Sequence, residues 1–360
     1  MPSASVPPAL EARPWCAGAV VYAGRSRTTL VHEAVGWAVR YASYDAVTDG
    51  GVELPPAARV PARPDTLFDL ASLTKLFTAV VAMRCVEQGA LDLDGRVASY
   101  ASEFTAAARH GITPRQLLTH TSGLRPELPL YACAGEAERE AMLRTEEPVG
   151  EVGAARGYSD LNLLILQRVL ERVTGRPLDA LVRDLVTGPL GMDDTRFNPP
   201  ADLLPRIAAT EDQRRPWAKL DRGMLRGVVH DENAHAMGGV AGHAGLFSTA
   251  GDLARLCRAL LGGGAYEGRR VLAASSVELM LTAPGLGFEV DQPWFTGELA
   301  GRGAAGHTGF TGTSLVVDRA TDSFVVLLAN TVHPRRRPPA NAPRAAVATA
   351  LARAVGAGAG

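Results

Sequence analysis

Ser72 and Lys75 stand three positions apart in Ser72-Leu73-Thr74-Lys75, at the opening of an apolar run that continues to Val86. Residues i and i+3 share a helix face, so a hydroxyl and an amine at this spacing meet, and the amine can take the proton that a serine loses when it becomes a nucleophile. The helix N-terminus adds a positive potential that favours a developing alkoxide. Lys75 and Lys219 are the only lysines among 37 basic residues, so a motif built on one of them carries weight.

Two further groups supply what such a nucleophile needs. Tyr158-Ser159-Asp160 precedes a second helical pattern, Leu161 to Val173. A phenol is a strong base once ionised, and a nearby ammonium lowers its pKa. His307-Thr308-Gly309-Phe310-Thr311-Gly312 leads into the strand-like stretch Thr313 to Val317. Glycine there lets backbone approach a substrate closely, and an edge N–H can serve an oxyanion.

The segment from Gly227 to Gly245 is dense in polar groups, with His230, Asp231, Asn233, His235 and His243. It lacks the H-E-x-x-H spacing of a zinc helix and has no cysteine nearby, so hydrogen-bonded loop packing is expected and no metal. His230, Asp231 or Asn233 is expected to line the cleft opposite Tyr158. His120, at a helix end beside a turn, reads as a structural residue that satisfies backbone carbonyls. No G-x-S-x-G elbow and no glycine-rich phosphate cradle occurs, and no cofactor is expected.

The elements that must hold these groups are legible in outline. Ala17 to Ala23 and Thr29 to Val39 flank the turn Gly24 to Arg27 and predict a hairpin; Thr313 to Val317 and Ser323 to Asn330 predict another. Between them the signals are helical: Thr113-Pro114 as N-cap and first residue, Leu161 to Val173 closed by Gly175, and Pro177 to Val186 closed by Gly188, with no convincing strand between Leu91 and His235. An alanine-rich helix follows from about Ala342 to Val355. Strands at both ends around a helical middle predict an α+β fold, an α/β sandwich of antiparallel sheet and helices. Its discontinuous α/β domain takes residues 1–95 and 236–360, and a mainly helical domain takes 96–235.

Composition bounds the function. The 360 residues are 46% hydrophobic and 21% charged with net charge -1, which fits a globular enzyme and offers no basic stripe for nucleic acid or anionic lipid. The run Arg335, Arg336, Arg337 reads as a solvated surface cluster. No apolar run reaches the ~20 residues of a membrane span. Met1 to Pro14 shows no basic start before an apolar core, so a cytoplasmic location is expected. Cys16, Cys85, Cys133 and Cys257 are scattered without metal spacing and read as reduced thiols.

Ser72…Lys75, Tyr158 and His307-Thr-Gly, in this order, resemble the serine β-lactamase and penicillin-binding-protein superfamily, in its class C-like branch with esterases, D-aminopeptidases and acyltransferases. Phe68-Asp-Leu-Ala-Ser-Leu-Thr-Lys, Leu117-Leu-Thr-His-Thr-Ser-Gly-Leu and Gly245-Leu-Phe-Ser-Thr-Ala-Gly-Asp-Leu-Ala share the likeness. The resemblance implies an antiparallel sheet with helices, Ser72 as the acylated nucleophile, Lys75 as its proton acceptor or electrostatic partner, and Tyr158 as general base. It also implies an oxyanion hole from the N–H groups of Ser72 and Phe310.

Two departures bear on the substrate. Asp160 stands where β-lactamases have an asparagine, and it is expected to pair with Lys75. His307 stands where the third motif usually begins with lysine, which weakens the cation that would anchor a penicillin carboxylate. Asp160, His307, Thr308, Gly309, His230 and Asn233 are the expected substrate-binding residues. A serine hydrolase acting on a small-molecule ester or amide follows. The alternatives are an acyltransferase or cyclase of secondary metabolism, a β-lactamase or D,D-peptidase, and a non-catalytic ligand-binding protein.

Overall fold

The computed structural model describes residues 15–338 and 341–356. Met1 to Pro14, where no leader was legible, lies outside them. Both expected hairpins form: Gly18–Arg25 pairs with Thr29–Val39 in the register Ala19 to Val35, and Ser314–Asp318 pairs with Ser323–Ala329. The two hairpins join, because Gly18–Arg25 also pairs with Ser323–Ala329, Ala19 opposite Ala329. The resulting seven-stranded antiparallel sheet runs Glu289–Val290, Ala305–Thr308, Ser314–Asp318, Ser323–Ala329, Gly18–Arg25, Thr29–Val39, Val60–Pro61.

The period of two along each strand divides the sheet into two apolar faces. Val20, Tyr22, Leu315, Val317, Phe324, Val326 and Leu328 join the main core with helix Thr74–Glu87, while Ala23, Val316 and Val325 pack against Ala348, Leu351 and Ala352 of helix Ala342–Ala354. Helix Thr74–Glu87 is buried all round, every residue from Thr74 to Met83, which its nearly uninterrupted apolar sequence requires. Gly89 at φ 72° lies just past its end.

Helix Asp160–Thr174 ends at a left-handed Gly175 and Thr113 caps helix Pro114–Leu118, as the sequence predicts, and Gln116 completes a capping box there. Two expectations fail. The middle of the chain holds the short strands Arg196–Phe197, Ala209–Gln213 and Gly223–Arg226. All five residues of Ala209–Gln213 are buried, polar ones included, so the in-and-out alternation that marks a half-exposed strand is missing. Nor does Gly188 close its helix: it keeps right-handed angles after a wide turn at Arg183–Thr187, and the left-handed Gly191 ends the element.

Strand Ala305–Thr308 delivers the turn after it onto the segment that carries Ser72. Thr311 Oγ1 donates to Asp69 O at 2.7 Å and Thr313 Oγ1 to Leu70 O at 3.0 Å. Gly309 is required by this contact, since a Cβ there would lie 2.3 Å from Leu70 O. Among the described residues no helix is long and apolar enough to cross a membrane. Gly309→Ala should therefore push the two segments apart, costing about 1–3 kcal/mol of stability in a denaturant titration and abolishing chemistry at Ser72; unchanged unfolding would show that the contact is dispensable.

Candidate active site

Ser72 lies in the 3₁₀ turn Ala71–Leu73 that opens helix Thr74–Glu87. The residue before it, Ala71, is left-handed at φ 47°, a conformation costing roughly 1–2 kcal/mol for a residue with a Cβ. Asp69 holds it there. One carboxylate oxygen accepts the Ala71 N–H at 2.8 Å and the other the His230 N–H at 2.6 Å. Burial pushes the Asp69 carboxyl up, opposed by the bond from His230.

The Lys75 ammonium is fully buried and faces three oxygens: Ser72 Oγ at 2.9 Å, His243 O at 3.2 Å and Asp160 Oδ1 at 2.7 Å. Burial works to lower its pKa, but the Asp160 carboxylate, and after it Tyr158, outweigh burial and hold it above the ordinary lysine range. Tyr158 Oη donates to the same Ser72 Oγ at 3.0 Å. Loss of water pushes the phenol above its ordinary range, and the Lys75 charge opposes that push.

His120 stacks on the Tyr158 ring with centroids 4.8 Å apart. It is structural as expected, but it serves donors rather than carbonyls: Nδ1 lies 3.2 Å from the Ser159 N–H and 2.9 Å from Asn162 Nδ2. It thereby fixes the turn that presents Tyr158.

The third motif reaches the same cavity, of about 530 Å³, where Ser72, Tyr158, Asp160, His230, His307 and Phe310 meet. Thr308 and Gly309 form part of its wall. Burial, reinforced by the Lys75 charge, lowers the His307 pKa to about 4, so it is neutral at pH 7. Among the described residues, the N–H groups of Ser72 and Phe310 donate to no other group.

Asn233 does not meet its expectation. Its amide is consumed by loop backbone, accepting from Tyr131 N–H at 3.0 Å and donating to Leu128 O at 2.8 Å, and its side chain is buried. His230 does line the cavity, bonded through Nε2 to Glu211 at 2.9 Å and stacked on Phe310. Asp231, His243 and Asp160 offer ligand atoms within 4.8 Å of one another, but the Lys75 ammonium already sits against Asp160.

Sequence reasoning missed three residues. Arg336 is not a solvated surface group: it reaches inward to Glu211 at 2.7 Å and to Glu232. Glu211 lies on the strand that the hydropathy pattern hides. Arg344 is buried at the cavity wall, donating to Gly309 O at 2.6 Å and Asn341 Oδ1 at 2.8 Å, and no carboxylate pairs with it among the described residues. Burial alone lowers its pKa to about 10. No periodicity marks an arginine at the start of an alanine-rich helix as a cavity residue.

Serine, lysine and tyrosine thus converge on one oxygen beneath a strand-borne H-T-G, and the match to a known family extends along nearly the whole chain. The beta-lactamase family profile covers residues 9–350. The chain belongs to that family. It is 35% identical over 312 residues to a putative D-alanyl-D-alanine carboxypeptidase of Escherichia coli (strain K12), 76% of this chain and 71% of that protein. It is 30% identical over 351 residues to an N-acetylmuramyl-L-alanine amidase of Bacillus subtilis (strain 168), 88% of this chain and 77% of that one. In fold it is similar to a penicillin-binding-protein homolog from Caulobacter crescentus, TM-score 0.72 at 22% identity over 96% of this chain and 95% of that chain.

The buried histidines of this beta-lactamase-family chain make its stability depend on pH. His307 and His333 are both lowered to about 4 by burial, against about 6.5 in an unfolded chain. Their contribution is intact above pH 6.5 and is lost as pH falls toward 4, when the unfolded state takes up protons first, by about 3 kcal/mol for each. Urea titrations at pH 7 and pH 4.5 should show this loss, and His307→Gln should remove one histidine's share of it. Equal losses in variant and parent would refute the assignment.

Proposed function

We propose that this chain is a serine hydrolase that forms an acyl-enzyme on Ser72 and cleaves an amide, or an activated ester, in a small carboxylate-bearing substrate. The observation that carries the reading is the approach of Lys75 Nζ and Tyr158 Oη to within 3.0 Å of the same Ser72 Oγ. The names of the two relatives, a carboxypeptidase and an amidase, favour the amide. Arg344, uncompensated at the cavity wall, supplies the cation that a neutral His307 does not, which supports a carboxylate in the substrate.

Lys75, charged and paired with Asp160, is a poor proton acceptor. The acceptor is Tyr158 in its phenolate form, stabilised by the adjacent ammonium. As Ser72 Oγ bonds to the carbonyl carbon, its proton passes to Tyr158 Oη, and the carbonyl oxygen, now an oxyanion, is held by the free N–H groups of Ser72 and Phe310. Collapse breaks the bond to the leaving amine, which takes the proton back from Tyr158. Water then releases the acyl group from Ser72.

Two outcomes follow. A fluorophosphonate probe should add its mass to Ser72 and not to the Ser72→Ala variant; labelling that persists in the variant would remove the nucleophile from this account. Since Tyr158 must ionise, kcat/KM against a p-nitroanilide should rise with pH through the alkaline range. Asp160 raises both Tyr158 and Lys75, so Asp160→Asn should shift that rising limb to lower pH. A limb that stays in place would argue against coupling between Asp160 and the base.

A further inference from the structure

The mechanism above leaves one buried acid and imidazole at the cavity unused. Glu211 is wholly buried and ion-paired with Arg336 at 2.7 Å, and it also accepts the Arg336 N–H at 3.0 Å. His230 Nε2 lies 2.9 Å from Oε2, the oxygen that also faces the Arg336 guanidinium. Burial alone would raise the Glu211 carboxyl, but the bonds from His230 and Arg336 bring it down to about 2, so it is an anion at working pH. An anion only accepts, so Nε2 carries the proton and Nδ1 is left with a lone pair.

Nδ1 has no hydrogen-bond partner among the described residues, and the ring lines the cavity that holds Ser72. Three contacts fix its place. The ring stacks on Phe310 with centroids 5.7 Å apart, Phe310 being a residue whose N–H has no acceptor among the described residues. The His230 N–H is bonded to Asp69, the carboxylate that also holds Ala71 beside the nucleophile. Its carbonyl is held by Arg222 Nη2 at 2.6 Å and Gln213 Nε2 at 2.9 Å. A carboxylate orienting an imidazole toward an acyl site is the arrangement that general-base catalysis needs.

We propose that Glu211 and His230 form a second catalytic dyad in which His230 Nδ1 is the general base of deacylation. This rests on the Ser72 acyl-enzyme reading. A water molecule gives a proton to Nδ1 while its oxygen bonds to the acyl carbon, and the tetrahedral intermediate breaks its bond to Ser72 Oγ. The departing Ser72 Oγ takes a proton, through solvent, from the His230 imidazolium, releasing the acid; His230 is neutral again and Tyr158 stays the phenolate that the next acylation needs. Acylation and deacylation thus use bases on two sides of the same serine, Tyr158 before helix Asp160–Thr174 and His230 before helix Glu232–Ala236.

The test follows p-nitrophenyl butyrate hydrolysis in wild type, His230→Gln and Glu211→Gln, the second variant guarding against loss of fold in the first. Fluorophosphonate labelling at Ser72 verifies the nucleophile in each; its absence from wild type would overturn the acyl-enzyme reading itself. With the nucleophile intact, the first turnover should release p-nitrophenol as in wild type. Steady-state kcat should fall about 100-fold, and intact mass should show butyrylated protein accumulating. Hydroxylamine, a nucleophile that needs no base, should restore turnover, a rescue that a merely structural role would not give. Unchanged kcat without accumulation, or slowed turnover that hydroxylamine fails to rescue, would overturn the dyad.

Discussion

The site depends on one buried charge. Lys75 lies on a helix with no solvent-facing side over its first three turns, where an unpaired ammonium would be expelled or neutralised. It survives because three oxygens surround it, one from Ser72, one from the Asp160 side chain and one from the His243 main chain. Those oxygens come from three segments far apart in sequence, so the ammonium is also what ties them together. Asparagine at 160 would leave the lysine's charge to be balanced elsewhere; aspartate fixes it locally.

A second constraint is the strained turn ahead of the nucleophile. Ala71 keeps a left-handed backbone only because Asp69 holds its N–H, and Asp69 tolerates burial only because it has two backbone donors. The same short segment receives Thr311 and Thr313 from the sheet. Strain at Ala71 is thus balanced against hydrogen bonds from Asp69 and from the Thr311–Thr313 turn, and these set the place of Ser72.

The fold was legible where the physics is local. Hairpins with β-branched strands, an N-cap at Thr113 and a closing Gly175 are short-range signals, and each corresponds to an observed element. Ser72, Lys75 and Tyr158 were legible for a related reason: two of them are spaced by a helix turn and the third sits at a helix start. What sequence could not give was pairing across long separations. Glu211 with Arg336, and Asp69 with His230, are joined by the packing of loops, and nothing in the order of residues announces them. Arg336 was misread because a run of three arginines looks solvated, while only the middle one turns inward. Asn233 was misread because polar density marks a loop that spends its side chains on its own backbone as readily as one that faces a ligand.

The electrostatic field divides the histidines of the cleft by neighbour. His120 and His307 lie near the Lys75 ammonium, and that charge adds to burial in driving both well below the normal imidazole range. A proton placed on either would face a fixed positive charge. His230 stands on the other side, among the carboxylates of Glu211, Asp231 and Asp69, with Arg336 and Arg222 engaged by Glu211 and by backbone. The buried ammonium beside Ser72 thus acts on His120 and His307, whereas the His230 ring is held by Glu211 and Phe310.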